Sequence, residues 1–171
     1  GEILSRFERC GLKIIGMKLI HATKTHAGEH YAADENWLVS VGEKALKSAA
    51  EKGEKISLTA KEIGQKVRQQ LIDFISMSPS VAICLEGHNA IATVRKMVGP
   101  TSPEQALPGT IRGDYSHETY RMADQLNRPV QNLIHASGTV QEAEREIAIW
   151  FKKEELCTYS TVHEAIIYRK G

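Results

Sequence analysis

The residues of this chain best equipped for chemistry lie in Asn132-Leu133-Ile134-His135-Ala136-Ser137-Gly138. A histidine that ends a short apolar run, just ahead of a capped helix, stands where α/β folds expose reactive groups. Neutral imidazole is a competent nucleophile, so His135 is a candidate for covalent catalysis. Glu146 falls almost two turns into the following helix, within reach of folding back to orient the ring. A second feature is Pro108-Gly109-Thr110-Ile111-Arg112-Gly113-Asp114. Glycines beside an arginine suit a loop that passes close to an anion, with a guanidinium for two-pronged phosphate contact. Arg95 and Thr101, on either side of the break at Gly99-Pro100, make a third. Taken alone, each has a plainer reading: a histidine that caps or packs, an arginine on a surface turn, an arginine on a solvated helix face.

These side chains need elements to position them. Glu2 to Cys10 places Ile3, Phe7 and Cys10 on one helical face, and Gly11 supplies the stop. Leu12 to His21, rich in Ile, Leu and Met, reads as a strand. Lys24 to about Ser78 is mostly helical. There Trp37, Leu38, Val41, Ala45 and Ala49 share a face, and Gly53 ends the segment within a surface turn from Glu51 to Lys55. Thr59-Ala60-Lys61-Glu62 is a capping box, in which hydroxyl and carboxylate satisfy orphan amides reciprocally. Ile63, Val67, Leu71 and Phe74 follow it at helical spacing.

Pro79 to Gly87 is a short buried strand, and Asn89 to Val98 a helix with Ile91, Val94 and Val98 inward, closed by Gly99. Pro100 to about Gln131 holds four of the five prolines and reads as a long loop with a helical turn around Tyr120 to Leu126. Gln131 to His135 fits a short strand. Thr139-Val140-Gln141-Glu142 is a second capping box, and Val140, Ala143, Ile147 and Trp150 continue that helix. The tail from Thr161 to Tyr168 is apolar enough to pack on the body.

At 171 residues, with 42% hydrophobic and 25% charged, the chain suits one compact soluble domain. A net charge of +1 gives no global attraction to nucleic acid or membrane surfaces, and 6% aromatics leave little for base stacking. No apolar run approaches the roughly 20 residues needed to span a bilayer. Cys10, Cys84 and Cys157 are odd in number and widely spaced, which is neither a disulfide framework nor a metal pattern. They read as small buried hydrophobes, and a reducing cytoplasm is the expected compartment.

The order and spacing of these blocks resemble the nucleoside diphosphate kinases. The resemblance is carried by Gly1 to Glu8, Leu12 to Lys18, Glu29-His30-Tyr31, Leu85-Glu86-Gly87, Arg95 to Gly99, Pro108 to Asp114, Asn132 to Ser137 and Ala143 to Ile147. It implies an α/β (α+β) fold of ferredoxin-like type, a four-stranded antiparallel sheet with helices on one face, its first strand missing from this chain and extra helices inserted, in a single domain spanning 1–171. It also implies roles. His135 would be the phosphorylated nucleophile of a ping-pong cycle, held and polarised by Glu146 and Ser137, with Tyr31 helping to position it. Arg95, Thr101 and Arg112 would contact the nucleotide phosphates, and Asn132 the sugar hydroxyls. Mg²⁺ would arrive with the nucleotide rather than on protein ligands. Nucleoside di- and triphosphates are the implied partners, in a homo-oligomer.

Four departures from the family pattern stand out. Members begin with a strand ending in Lys-Pro-Asp, which this sequence lacks, so the natural protein is expected to carry a further N-terminal piece. The helical hairpin is longer than usual by roughly 30 residues, about 35–66. The aromatic that stacks on the base aligns near Val67 or Arg68, where an arginine plane could stand in or simply be solvated. Finally, the loop from Asp114 to Asn132 is expanded, and the usual His-Gly-Ser-Asp reads His135-Ala136-Ser137-Gly138. The competing reading is a catalytically weak nucleotide-binding or scaffold protein on the same fold.

Overall fold

A computed structural model describes residues 1–31, 33–51, 53, 55–162 and 164–169. In chain order the elements are α1 (Glu2–Arg9), β1 (Lys13–Ile20), α2 (Lys24–His30), α3 (Glu35–Glu51), α4 (Ala60–Ile75), β2 (Ser80–Glu86) and α5 (Ala90–Val98). They continue with α6 (Ile111–Tyr115), α7 (Tyr120–Gln125), α8 (Val140–Trp150) and α9 (Glu164–Ile167). Single 3₁₀ turns lie at Pro103–Gln105 and Lys153–Glu155. The chain forms two compact units, one from Gly1–Ile20, Val81–Met122 and Val130–Gly171, the other from His21–Ser80 and Ala123–Pro129. No helix among the described residues is long and apolar enough to cross a membrane.

The first unit is α/β, with β1 and β2 paired in a small antiparallel sheet. Its core is Phe7, Leu12, Val98 and Ile111, each at most 5% exposed, with Ile3, Leu85, Ala90, Val94, Met97, Ile134 and Ala136 packed around them. Each such side chain taken from water contributes about 1.5–3 kcal/mol. The spacing of Ile3 and Phe7 turns α1 onto this core, as expected. Cys10 does not follow them. Both Cys10 and Cys157 are exposed and only Cys84 is buried, because the helix has already ended at Arg9 and Cys157 lies in irregular chain.

Two strands form among the described residues, one fewer than the three expected of this chain once the family's first strand is set aside. Gln131 to His135 is irregular rather than extended. Leu133 has φ +70°, and the Ile134 amide turns back to donate to the Asn132 carbonyl at 2.8 Å. Arg112 takes the carbonyls of Asn132 and Ile134 that a sheet partner would need. The 100–131 stretch is also less of a loop than its prolines suggest. The expected turn near Tyr120 is α7, and α6 is an additional short helix capped by Thr110, whose hydroxyl accepts the Gly113 amide.

The capping box at Thr139 forms only in half. Thr139 accepts the Glu142 amide at 3.1 Å, but the Glu142 carboxylate caps the Gly138 amide at 2.7 Å instead of returning to Thr139. The tail differs as well: Val162 and Ile166 are 85% and 76% exposed, and Ile167 and Tyr168 are also open to solvent. Polar tethers hold this region instead. The Cys157 amide donates to the Ile15 carbonyl, the Tyr159 hydroxyl to the Ile14 carbonyl, and the Lys13 ammonium to the Tyr159 carbonyl.

The second unit is a helical hairpin of α3 and α4 with α2 against it. Its buried apolar residues include Leu38, Ala49 and Ile63 from the two expected stripes and Ile72, which lies in neither, while Val67, Leu71 and Phe74 are half-buried. What brings the helices together is a pair of glycines. A methyl group on Gly42 would lie 1.8 Å from the Ala60 carbonyl oxygen, and one on Gly64 would lie 2.0 Å from that of Leu38. Backbone thus meets backbone at both points, the closest approach two helices can make. The Thr59 box closes in full, with amide donations of 2.8 Å from Thr59 to Glu62 and 3.3 Å in return. Arg68 is half-buried rather than solvated: it donates to the carbonyls of Gly28 and Tyr31 at 2.8 and 2.5 Å, closing the C-terminus of α2. Of the expected turn from Glu51 to Lys55, Lys52 and Glu54 lie outside the described residues, while Gly53 adopts φ +75°.

Candidate active site

Local packing decides which way His135 faces. Its neighbours Ile134 and Ala136 both pack against the core, so the residue between them is turned outward, with 46% of its side chain exposed. The following helix, started by Thr139, carries Glu146 back underneath. The Nε2 atom of His135 lies 3.3 Å from both carboxylate oxygens of Glu146, and the Ser137 hydroxyl donates to Oε2 at 2.5 Å. Glu146 is buried, with Arg145 at 3.8 Å. A carboxylate accepts hydrogen bonds, so the contact is a hydrogen bond in the tautomer that carries its proton on Nε2. The imidazole is therefore held in place by a buried carboxylate while its side chain stays half exposed.

Arg112 is only 4% exposed. Its guanidinium donates to four backbone carbonyls: Gly99 at 3.0 Å, Pro100 at 2.9 Å, Asn132 at 3.3 Å and Ile134 at 2.5 Å. Burial first, and the nearby Arg95 charge second, bring its pKa down to about 10, which still leaves it a cation at neutral pH. The sequence suggested a fork aimed at an anion; here the fork ties the chain around Gly99 to the chain around His135. Gly113 permits this, because a methyl group there would lie 2.2 Å from the Leu107 carbonyl oxygen.

Arg95 is exposed on α5 and donates to the Ala136 carbonyl at 3.3 Å, which sets its charge beside His135. The Asn132 amide donates to the Thr101 carbonyl at 3.2 Å. Seven of the eight expected residues lie in the α/β unit, in three hydrogen-bonded sets: Arg112 with Asn132 and, through its carbonyl, Thr101; Arg95 with Ala136; and His135 and Ser137 with Glu146. Tyr31 belongs to the helical unit, where its ring meets His30 edge-on at 4.7 Å. Apart from the His135–Glu146 pair, the groups are cations, an amide and hydroxyls, a set that suits phosphate oxygens.

One participant went unnoticed in the sequence. Asp114 accepts the Gly109 amide at 2.7 Å and pairs with Arg6 of α1 at 2.5 Å. Arg6 and Asp114 are 108 residues apart, and no local pattern links them.

The family model for nucleoside diphosphate kinase matches residues 40–156. A nucleoside diphosphate kinase from Pyrobaculum aerophilum is 44% identical over 91% of this chain and 88% of its own length. The solved structure of an NDP kinase from that organism superposes with a TM-score of 0.88, covering 92% of this chain and 89% of that one at 42% identity. The nucleoside-diphosphate kinase of Borrelia burgdorferi, solved as a transition-state mimic with vanadate and ADP, gives 0.76 at 33% identity, covering 97% and 85%. That of Halobacterium salinarum, solved in complex with CDP, gives 0.68 at 31%, covering 99% and 88%. Sequence and backbone agree over most of the chain, and it belongs to the nucleoside diphosphate kinase family.

Proposed function

We propose that this protein transfers the γ-phosphate of a nucleoside triphosphate to a nucleoside diphosphate through a phosphohistidine at His135. The observation that carries the reading is the contact of the half-exposed His135, through Nε2, with the buried Glu146, which orients the ring; we take Nδ1 as the attacking nitrogen. In the first half-reaction the Nδ1 lone pair attacks the γ-phosphorus. The bond from phosphorus to the β,γ-bridging oxygen breaks, and the departing diphosphate keeps that electron pair. The second half-reaction is the reverse, with another diphosphate as acceptor. The proton on Nε2 stays against Glu146 throughout, and the negative charge of that carboxylate offsets the positive charge the ring acquires. Ser137 fixes the carboxylate that does this.

Phosphoryl transfer needs in-line positioning and cations around the equatorial oxygens more than it needs covalent chemistry. Arg95 supplies an exposed cation beside the nucleophile, and Arg112 a buried one beneath the loop. We assign Thr101 to the phosphates, Asn132 to the sugar and Tyr31 to positioning the histidine, following the family pattern. The nucleotide is taken as its Mg²⁺ complex, since Glu146 is already engaged. Relatives captured with ADP and with CDP support nucleoside phosphates as substrates. We read the chain as one catalytic domain with its extra helices at about 35–66, acting in the cytoplasm as a homo-oligomer.

Labelling tests this. The protein is incubated with γ-labelled ATP and Mg²⁺, then chased with a diphosphate of another base, with His135→Ala alongside. The expected result is an acid-labile, base-stable label that requires His135 and passes into the new triphosphate. Nucleotide binding without label would replace the kinase by a nucleotide-binding scaffold.

A further inference from the structure

We propose that Arg6, through its ion pair with Asp114, is a positioning residue for His135; this rests on the phosphohistidine reading above. The pair lies on the outer side of a contact that is otherwise apolar. Phe7 and Ile111, the neighbours of Arg6 and Arg112, share the core cluster, at 1% and 0% exposure. Arg6 is therefore presented by a helix already fixed to the core. Its guanidinium meets the loop at three places: the Asp114 carboxylate at 2.5 Å, the Gly109 carbonyl at 3.3 Å and the face of Tyr115 at 4.8 Å. Asp114 in turn holds the Gly109 amide at 2.7 Å. Gly109 and Asp114, at the two ends of the turn bearing Arg112, are thus joined to each other and to α1.

The turn needs such a fixture. Helix α6 is five residues long, too short to be stable alone. Yet Arg112, in its middle, must reach four carbonyls on two separate segments. Two of these, Asn132 and Ile134, bracket Leu133 at φ +70°, immediately before His135. The other two, Gly99 and Pro100, lie immediately before Thr101. A shift of α6 would change the distance between the nucleophile and the phosphate-binding side while leaving each side intact. Arg6 touches no reacting atom; it acts through Asp114 and Arg112.

The consequence is a loss in rate rather than in nucleotide affinity. A misplacement of about 1 Å costs on the order of 100-fold in rate. In single-turnover phosphohistidine formation with ATP and Mg²⁺, Arg6→Ala and Asp114→Ala are expected to lower the saturating rate by about tenfold or more. The half-saturating ATP concentration should stay within about twofold, as expected when only the transition state is affected. The double variant should be no slower than either single one, and Arg6→Lys should recover part of the rate. Arg9→Ala, which removes the same charge from the same helix, should match the wild type. Hydrogen exchange at residues 132–137 is read in parallel and should quicken in Arg6→Ala. Additive losses, a loss equal to that of Arg9→Ala, or unchanged exchange at 132–137 would overturn the proposal. If the wild-type protein itself takes no label, the phosphohistidine reading fails, and unchanged exchange alone then decides against the link from Arg6 to the His135 segment.

Discussion

Asp114 accepts a backbone amide and a guanidinium at once. The Gly109 bond first, and Arg6 second, hold its carboxyl below the ordinary carboxylate value. A carboxyl with a depressed folded pKa contributes stability that is complete above its unfolded value and is lost as pH falls through the folded one. Wild type and Asp114→Asn should therefore differ in stability at neutral pH and converge as the pH is lowered through and below the usual carboxylate range. Urea unfolding at stepped pH measures this, and a gap that stays constant down to strongly acid pH would refute the assignment. The same scale separates the two arginines of the site. Arg95 is exposed and can meet a ligand directly, whereas the bonds of Arg112 run to carbonyls, so its charge acts on the site from below.

At the scale of elements, the helical hairpin depends on two residues without side chains. Gly64 faces the carbonyl of Leu38, and Gly42 that of Ala60, at distances no methyl group fits. Glycine inside a helix ordinarily costs about 1 kcal/mol relative to alanine, so a surface-exposed case would gain from replacement. Here the sign reverses: Gly64→Ala should destabilise the protein by about 1–3 kcal/mol, because α3 and α4 must separate to admit the methyl. Chemical denaturation reads the change, and a Gly64→Ala protein as stable as the wild type would contradict the contact. The helical stripes of α3 and α4 were readable as apolar periodicity. The glycines were not, because a residue used for its absence of bulk has no hydrophobic signature.

Across the whole molecule, the C-terminal segment is attached by charge and hydrogen bonds more than by apolar burial. Lys13, 8% exposed, pairs with Glu86 at 2.5 Å and Glu164 at 2.9 Å, and donates to the Tyr159 carbonyl at 2.6 Å. Its ammonium lies 5.3 Å from the Tyr159 ring centroid. Removing the shared cation leaves two carboxylates without it and leaves the segment tied to β1 by its bonds to the Ile14 and Ile15 carbonyls. Lys13→Ala should therefore speed hydrogen exchange across 157–168, beginning with the Cys157 amide that donates to Ile15. Exchange there at the wild-type rate would show that the apolar contacts suffice.

The sequence by itself determined what depends on neighbours within a turn or two of chain. Both threonine caps, the existence of α3, α4 and α8 and the reach from His135 to Glu146 all follow from such spacing, although Val140 of the α8 stripe is exposed and α4 buries Ile72 from outside its stripe. The family pattern added the set of residues that would serve it. Tertiary structure decided what depends on partners distant in sequence. Gln131 to His135 is not a strand because Arg112, about 20 residues earlier, claims its carbonyls. Cys10 and Cys157 are exposed because an apolar neighbourhood in sequence is not burial in space. Arg6 meets Asp114 only after the intervening chain has folded. The division has one physical cause: helix and strand periodicity is written in backbone geometry that repeats every few residues, whereas a long-range hydrogen bond is specified only by where the core places its two ends.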